Sequence, residues 1–385
     1  MTDLRGLLRQ YVDDGSLPGA VALVTRGDTV EFTAVGTQDG TVPMARDTIF
    51  RIASLTKPIT AAAVLTLVED GRLGLDDPVG RWLPEIAEPV VVRTPASPID
   101  DVVPATRPVT VYDLLTSQAG WGFASDFSLP AVVRLFDVQR DGREVQSFPS
   151  TEVWLAELAQ VPMLYQPGES WLYDTCSAIQ GVLVARVSGQ SLPDFLAERV
   201  FAPLGMADSA FVVPAGKRDR FASYYKGGAL ADGPDGQWST MPAMPLGSGG
   251  LVGTVDDWLA FARMLLAGGV APHGGRLLSA ASVRLMTTDH TTPAHREIGA
   301  LFLEGQGWGM GGSVDIAATD PWVVPGRYGW VGGTGTSAHV VPATGSVAIL
   351  FTQVGMASPV APDWMREFWL YSAGGGAQDV GVGRD

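Results

Sequence analysis

The sequence predicts an α/β protein of the α+β type, in which an antiparallel sheet is flanked by helices and carries an inserted all-helical domain. Two observations support this prediction. Strand-like runs occur near both ends of the chain, at 20–35 and between 307 and 352, whereas the middle, at about 58–250, is rich in helix patterns and long loops. The first two strands are joined by a short turn rather than by a crossover helix, which makes them antiparallel neighbours. We therefore expect residues 1–57 and 251–385 to form one α/β domain and residues 58–250 a mainly helical one.

The individual elements follow from local signals along the chain. A first helix is predicted at 4–12, where apolar residues three and four apart share one face and Gly15 ends the pattern. Strands are predicted at 20–25 and 29–35, on either side of the turn at Arg26-Gly27-Asp28. Further helices are predicted at 152–160, 175–187, 192–200, 258–266 and 362–371, and further strands at 327–331, 338–341 and 346–352.

Composition excludes several classes of function. The formal net charge is −15 and the Lys and Arg residues form no cluster, so neither nucleic acid nor an anionic membrane surface is an expected partner. The single cysteine, Cys176, cannot form an intrachain disulfide, suggests no metal site and is expected to be a buried inert thiol. The first residues lack an apolar signal region and no run of about 18 apolar residues occurs, so a cytoplasmic location is the default expectation.

The segment from Phe50 to Pro58 carries the strongest chemical signal. Apolar rows at a spacing of four follow Pro58, and proline is tolerated only in the first turn of a helix, so the helix is expected to begin at about Ser54. Residues three apart lie on the same side of a helix, which would put the amine of Lys57 next to the hydroxyl of Ser54. A lysine in a crowded apolar site loses its charge easily, so Lys57 could take the serine proton and create a nucleophile.

The four-residue pattern Ser-x-x-Lys also arises by chance, and two observations favour the copy at 54–57. The second copy, from Ser223 to Lys226, is followed by Gly227-Gly228, which breaks a helix instead of beginning one. Lysine occurs at only three positions, 57, 217 and 226, whereas arginine supplies the other positive charges, so each lysine invites a specific explanation.

Two further segments could complete a site around Ser54. Tyr173 precedes a predicted helix, and a phenol beside a cation can act as a general base, although this segment alone favours a structural tyrosine. The glycine-rich turn at 329–336 could present backbone N–H groups that join the N–H of Ser54 in an oxyanion hole, or it could be an ordinary hairpin.

Other hydrolase chemistries find little support in the sequence. No G-x-S-x-G segment is present, which argues against an α/β-hydrolase. None of the four histidines lies in an H-E-x-x-H pattern, and we expect all of them on the surface or in loops. They are His273, His290, His295 and His339.

Taken in order, these segments resemble the serine β-lactamase/penicillin-binding-protein superfamily, and within it the family VIII carboxylesterases and class C β-lactamases. The likeness covers about residues 10–370 and includes five motifs. They are Ser54 to Lys57, Leu114 to Gly120, Pro167 to Tyr173, Ser248 to Leu251 with Asp257, and Trp330 to Gly333. The resemblance implies a β-lactamase/DD-peptidase-like fold, with the active site between the sheet domain and the helical domain.

The resemblance also implies residue roles. Ser54 would be the nucleophile that forms an acyl-enzyme, and Lys57 and Tyr173 would be its proton-transfer partners. The N–H group of Gly333 would join that of Ser54 in the oxyanion hole. Substrate contacts are expected from four residues in or beside these motifs, namely Gln118, Trp330, Gly332 and Thr334.

Two departures from the class C pattern favour esters over lactams. Thr175 occupies the position of an asparagine, and Trp330-Val331-Gly332 replaces a Lys-Thr-Gly triplet whose lysine would attract the carboxylate of a lactam. Losing one charge-assisted contact costs roughly 1.5–3 kcal/mol. The sequence therefore predicts a serine carboxylesterase that acts on small uncharged esters without metal or cofactor. A β-lactamase or D-amino-acid peptidase, an acyltransferase and a non-catalytic binding protein are the alternatives, and the oligomeric state is left open.

Overall fold

The structure of the protein is a computed structural model that describes residues 3–374 and defines the strands of the fold. In chain order they are β1 (Gly19–Arg26), β2 (Thr29–Gly36), β3 (Phe50–Arg51), β4 (Val90–Val92), β5 (Val102–Pro104), β6 (Tyr224–Lys226), β7 (Ala229–Asp232), β8 (Val252–Gly253), β9 (Gly307–Trp308), β10 (Ser313–Val314), β11 (Tyr328–Gly332), β12 (Thr336–Val341) and β13 (Ser346–Thr352). Within the described residues, seven of them form an antiparallel sheet of order β2-β1-β13-β12-β11-β10-β9.

The centre of this sheet joins the two ends of the chain. Ala20 of β1 lies opposite Thr352 of β13, so the first and last segments share one sheet, as the sequence predicted. β1 is almost continuously apolar and is buried along nearly its whole length, because both faces of a central strand are covered. β2 lies at the sheet edge and is exposed where it begins.

Helices cover both faces of the sheet and form most of the middle of the chain. They are α1 (Leu4–Asp13), α2 (Thr56–Glu69), α3 (Val111–Leu115), α4 (Pro130–Gln139), α5 (Thr151–Leu158), α6 (Thr175–Ser188), α7 (Leu192–Leu196), α8 (Ala202–Leu204), α9 (Val255–Leu266), α10 (Ala280–Met286), α11 (Pro293–Ile298), α12 (Ala300–Leu303) and α13 (Asp363–Ser372). α1 and α13 pack on one face of the sheet, and α9 packs against β12 and β13.

Two buried helices form the centre of the region between the N-terminal and C-terminal strands. α2 and α6 pack against each other, and each is buried on nearly all sides, as expected for helices with few charged residues. The segment 58–250 is mainly helical and also contains the short hairpins β4–β5 and β6–β7. This arrangement agrees with the predicted fold class of a sheet with an inserted helical region.

The predicted start of the second helix was wrong by two residues. Residues 53–55 form a 3₁₀ turn, and α2 begins at Thr56, so Pro58 still lies in its first turn. Ala53 has a φ of 43°, a left-handed conformation that bends the chain just before Ser54. Ser54 therefore does not cap the helix through its side chain but lies in the turn that leads into it.

Two of the histidines were also predicted wrongly. His339 lies in β12 and is buried, where Ser337 and the ring of Trp369 contact its imidazole. His295 is buried in α11. A single polar residue in an apolar strand or helix does not reveal whether a neighbour will cover it, because that depends on tertiary packing.

Among residues 3–374, no helix combines the length and the apolar character that crossing a lipid bilayer requires.

Candidate active site

The turn that carries Ser54 is fixed from two directions. β3 pairs with β8 immediately before the turn. From the main sheet, the hydroxyl of Thr334 donates to the carbonyl oxygen of Arg51 at 2.5 Å, and that of Thr336 donates to Ile52 at 3.1 Å. These bonds attach the turn between β11 and β12 to the segment that precedes Ser54.

Glycine at the end of β11 allows a very close approach. A Cβ atom on Gly332 would lie 2.5 Å from the carbonyl oxygen of Ile52, so a larger residue would push the strand away. The next residue, Gly333, borders the same cavity as Ser54. Ser54 and Gly333 therefore line the same cavity, which an oxyanion hole formed by their backbone N–H groups would require.

Three side chains that the sequence singled out meet at one point. Lys57 Nζ lies 3.0 Å from Ser54 Oγ, and the hydroxyl of Tyr173 donates to the same oxygen at 2.9 Å. The indole N–H of Trp330 donates to the oxygen of Tyr173 at 2.8 Å. The Ser54 hydroxyl is therefore held between an amine and a phenol, and the phenol is oriented by a third group.

Tyr173 is held in place by its backbone and by its ring. Its N–H and C=O groups both bond to the backbone of Phe123, at 2.9 and 3.0 Å. Its ring stacks on Phe302 with 4.6 Å between ring centroids. Because the phenol cannot turn away from Ser54 without breaking these contacts, the interpretation of Tyr173 as a purely structural residue does not account for where its hydroxyl lies.

Lys57 is buried and fully bonded. Besides Ser54, its ammonium contacts Asp174 Oδ1 at 2.5 Å and the carbonyl oxygen of Ser248 at 2.6 Å, so all three donors of the ammonium are satisfied. Burial would lower the pKa of Lys57, but the negative charge of Asp174 and the phenol of Tyr173 outweigh it and raise that pKa above its ordinary value. The expectation that Lys57 readily loses its charge was therefore wrong, because the carboxylate of Asp174, a residue that was not predicted to lie in the site, faces the amine.

Asp174 is the site residue that sequence reasoning missed. Its second carboxylate oxygen accepts a hydrogen bond from Gln139 Nε2 at 2.7 Å, and its φ of 79° is rare for a residue with a side chain. Such a strained conformation persists only where the surroundings hold it, and it is common at functional sites. Thr175, which departs from the class C pattern, is buried at the start of α6, and Asp174 faces the lysine instead. The available signal was an acidic residue directly beside the candidate phenol.

Three of the predicted substrate contacts lie elsewhere. Gln118 is buried and donates to the carbonyl oxygen of His290, Thr334 bonds to Arg51, and Gly332 packs against Ile52. None of the three borders the cavity at Ser54, so the structure does not place them where they would contact a substrate there. Trp330 does border the cavity, in addition to its bond with Tyr173.

The cavity at Ser54 has a volume of about 450 Å³ and a mostly apolar lining. Aromatic and charged residues both contribute to that lining: Phe123, Phe127, Phe136, Tyr173, Phe302 and Trp330 are the aromatic ones, and Arg140, Asp141, Arg143 and Asp174 the charged ones. Arg143 forms a two-point ion pair with Asp141, with both N–O distances at 2.8 Å, so its charge is already neutralised.

Two further findings concern the cysteine and possible metal ligands among the described residues. Cys176 is fully buried, and burial raises the pKa of its thiol to about 12, which agrees with the prediction of an unreactive cysteine. Within residues 3–374, no group of three or more His, Cys, Asp or Glu side chains is arranged to hold a metal ion.

Comparison with known proteins gives one consistent family. Residues 4–368 match the family model described as Beta-lactamase. The chain is 37% identical to Protein Rv1367c of Mycobacterium tuberculosis, over 90% of this chain and 88% of that protein. It is 32% identical to Esterase EstB of Burkholderia gladioli, over 93% and 92%. A solved structure, "EstCE1, a hydrolase with promiscuous acyltransferase activity", superposes with a TM-score of 0.79 and 26% identity, and the match covers 96% of each chain.

These matches confirm the superfamily and the fold that the five motifs predicted. The chain belongs to the β-lactamase family of serine hydrolases.

Proposed function

We propose that the protein is a serine carboxylesterase that cleaves small, largely uncharged esters through an acyl-enzyme on Ser54. One observation carries this proposal: Ser54 Oγ lies within 3.0 Å of both Lys57 Nζ and the Tyr173 hydroxyl, at the edge of a mostly apolar cavity. A serine hydroxyl becomes a nucleophile only when a positioned base removes its proton. The family and the name of the EstB relative support the assignment.

The contacts of the site divide the roles between the amine and the phenol. The negative charge of Asp174 raises the pKa of Lys57, and Asp174 and Ser248 both accept hydrogen bonds from its amine, so we assign the base role to Tyr173. Lys57 Nζ lies 4.7 Å from the centre of the Tyr173 ring, where its charge stabilises the phenolate. The N–H of Trp330 supplies a further hydrogen bond to that oxygen.

The reaction then proceeds in two balanced halves. Tyr173 first gives up to water the proton that it donates to Ser54 in the resting site. Its phenolate then takes the proton of Ser54, whose oxygen attacks the ester carbonyl, and the same proton passes to the alkoxide as the alcohol leaves. In the second half, Tyr173 takes a proton from water, the hydroxide attacks the acyl group, and Ser54 recovers the proton. We assign the N–H groups of Ser54 and Gly333 to the oxyanion, where one donor is typically worth about 10²–10³ in rate.

The preference for uncharged substrates follows from the lining of the cavity. Trp330 stands where a lysine would bind the carboxylate of a lactam, and its polar N–H is already used by Tyr173. Arg143 and Arg140 are the other cationic residues at the cavity. The guanidinium of Arg143 is paired with Asp141, and that of Arg140 donates to the carbonyl oxygen of Ser147 and lies 4.0 Å from the carboxylate of Glu157. An anionic substrate would therefore be desolvated without gaining a new partner, which disfavours binding.

The test is ester turnover by the wild type and by Ser54→Ala. We expect the substitution to lower kcat by at least about 10³-fold, because both halves of the reaction pass through this oxygen. Ser223→Ala, in the second Ser-x-x-Lys copy, is the matched control and should keep its activity. A fluorophosphonate probe should label the wild type at Ser54; turnover that survives Ser54→Ala, or no labelling, would contradict the proposal.

Acyl transfer is a second candidate, because the structural neighbour EstCE1 is described as a hydrolase with promiscuous acyltransferase activity. Product analysis with added alcohols or amines separates transfer from hydrolysis. Turnover of a chromogenic cephalosporin at a rate comparable to ester turnover would instead favour the β-lactamase or D-amino-acid peptidase alternative. A non-catalytic binding role would be supported only if the probe failed to label Ser54.

The remaining assignments also stay proposals. We propose a small-molecule substrate, with no nucleic-acid or membrane partner, because the net charge is −15. We propose the cytoplasm as the location. The chain has one cysteine and therefore does not depend on an intrachain disulfide, which the reducing cytoplasm would not maintain.

A further inference from the structure

Two phenylalanine side chains at the cavity are unusually exposed. Phe127 is 39% and Phe136 is 45% accessible to solvent, and both border the cavity at Ser54. Large apolar side chains that cluster at a surface commonly mark a binding site, because their contact with water is unfavourable until a ligand covers them.

These two side chains continue a row of rings that begins at the reactive phenol. The Tyr173 ring stacks on Phe302 at 4.6 Å, and Phe302 lies 6.0 Å from Phe127. Phe127 lies 5.6 Å from Phe136, which stacks on the buried Phe123 at 4.6 Å. The row therefore leads from the Ser54 side of the cavity to solvent, and it offers flat apolar faces over that length.

The proposed chemistry decides which half of an ester meets this row. The group that takes the proton of Ser54 must return it to the leaving alcohol, so the oxygen of that alcohol has to lie within hydrogen-bond reach of the Tyr173 hydroxyl. In the proposed mechanism the carbonyl oxygen of the ester faces the N–H of Gly333 instead. The side chain of Arg143 lies on that side, since a Cβ on Gly333 would be 3.8 Å from Arg143 Cδ. The alcohol part of the ester therefore leaves the scissile bond on the side of Tyr173 and Phe302.

We propose that the alcohol part of the substrate carries an aromatic or similarly flat apolar group, which binds against Phe127, Phe136 and Phe302. This inference rests on the proposed esterase function and names its substrate class. Aromatic rings attract one another in stacked and edge-on arrangements, and the cavity volume of about 450 Å³ leaves room for a ring beside the ester group.

The experiment compares acetate esters that differ only in the alcohol. Ethyl acetate and 2-phenylethyl acetate form the same acetyl-enzyme, so a difference between them arises in acylation and appears in kcat/KM. We expect kcat/KM to be about tenfold or more higher for the phenylethyl ester. Phe127→Ala and Phe136→Ala should each lower this ratio severalfold, whereas Val133→Ala, an exposed residue on the same helix as Phe136 that does not border the cavity, should leave it unchanged.

The design separates failure of the inference from failure of the proposed function. Each ratio is measured on one preparation, so a variant that folds only in part changes both rates equally and leaves the ratio intact. Equal kcat/KM for the two acetates, or a ratio unaffected by both phenylalanine variants, would overturn the inference. So would a preference for ethyl phenylacetate over ethyl acetate with no effect of the alcohol, because the rings would then bind the acyl group. Absence of Ser54-dependent turnover for every ester would refute the proposed function itself.

Discussion

The charge of Lys57 depends on one neighbouring carboxylate. A fully buried amine with only neutral neighbours would tend to give up its proton, since burial penalises the charged form. Here Asp174 accepts a 2.5 Å contact from that amine and is itself held by Gln139. The outcome is a pair of opposite charges directly beside Ser54, and in the proposed mechanism this pair leaves Tyr173 as the group that moves the proton.

Asp174→Asn tests this division of roles. Without the carboxylate, burial lowers the pKa of Lys57, so the ammonium should be lost at a lower pH than in the wild type. We expect the alkaline limb of the kcat/KM profile to move to lower pH and the rate at neutral pH to fall by about tenfold or more. Asp174→Glu, which keeps the charge, should restore part of the rate. An unchanged pH profile in Asp174→Asn would show that Asp174 does not control the lysine.

At the scale of elements, the start of α9 exposes the carboxyl of Asp257 to two opposing effects on its pKa. Asp257 lies in the first turn of this helix, where the helix dipole favours a negative charge, and it accepts bonds from Ser209 Oγ and the N–H of Asp208. Burial outweighs these contacts and raises the pKa of Asp257 to about 6. The folded protein therefore holds a proton here more tightly than the unfolded chain does.

This shift predicts the direction of a pH dependence in stability. Because the pKa of Asp257 is raised in the folded protein, this residue contributes most to the free energy of unfolding below about pH 4. The contribution is lost as pH rises through about 6, and at pH 8 the loss amounts to about 3 kcal/mol. Asp257→Asn should remove this dependence. Chemical denaturation of both proteins at pH 5 and pH 8 should show the variant gaining relative stability at pH 8; a relative loss there would contradict the prediction.

At the scale of the whole molecule, a buried ion pair joins segments that are distant in the chain. Arg51, in the strand before the Ser54 turn, bonds through its guanidinium to Asp232 of β7, and both side chains are almost completely buried. The guanidinium also lies 3.9 Å from the centre of the Phe221 ring. Because burial lowers the pKa of Arg51, its charge is costly without this partner.

Asp232→Ala should therefore destabilise the fold strongly. Leaving one member of a buried pair uncompensated typically costs about 3–5 kcal/mol in the free energy of unfolding. The matched control is Arg46→Ala, which breaks the half-exposed pair with Asp256 and should cost no more than about 1 kcal/mol. Denaturant unfolding of the two variants measures the difference, and equal costs would refute the special role of the buried pair.

The sequence by itself determined the features that depend on neighbours along the chain. Alternation and turn residues located β1, β2 and the last strands, and the three-residue spacing brought Lys57 to Ser54, since both effects act over a few residues. The meeting of Tyr173 with Ser54, the pairing of Asp174 with Lys57 and the burial of His339 were decided only by the tertiary structure. The physical reason is that these contacts join segments on different elements, and their geometry depends on how the sheet and the helices pack against each other.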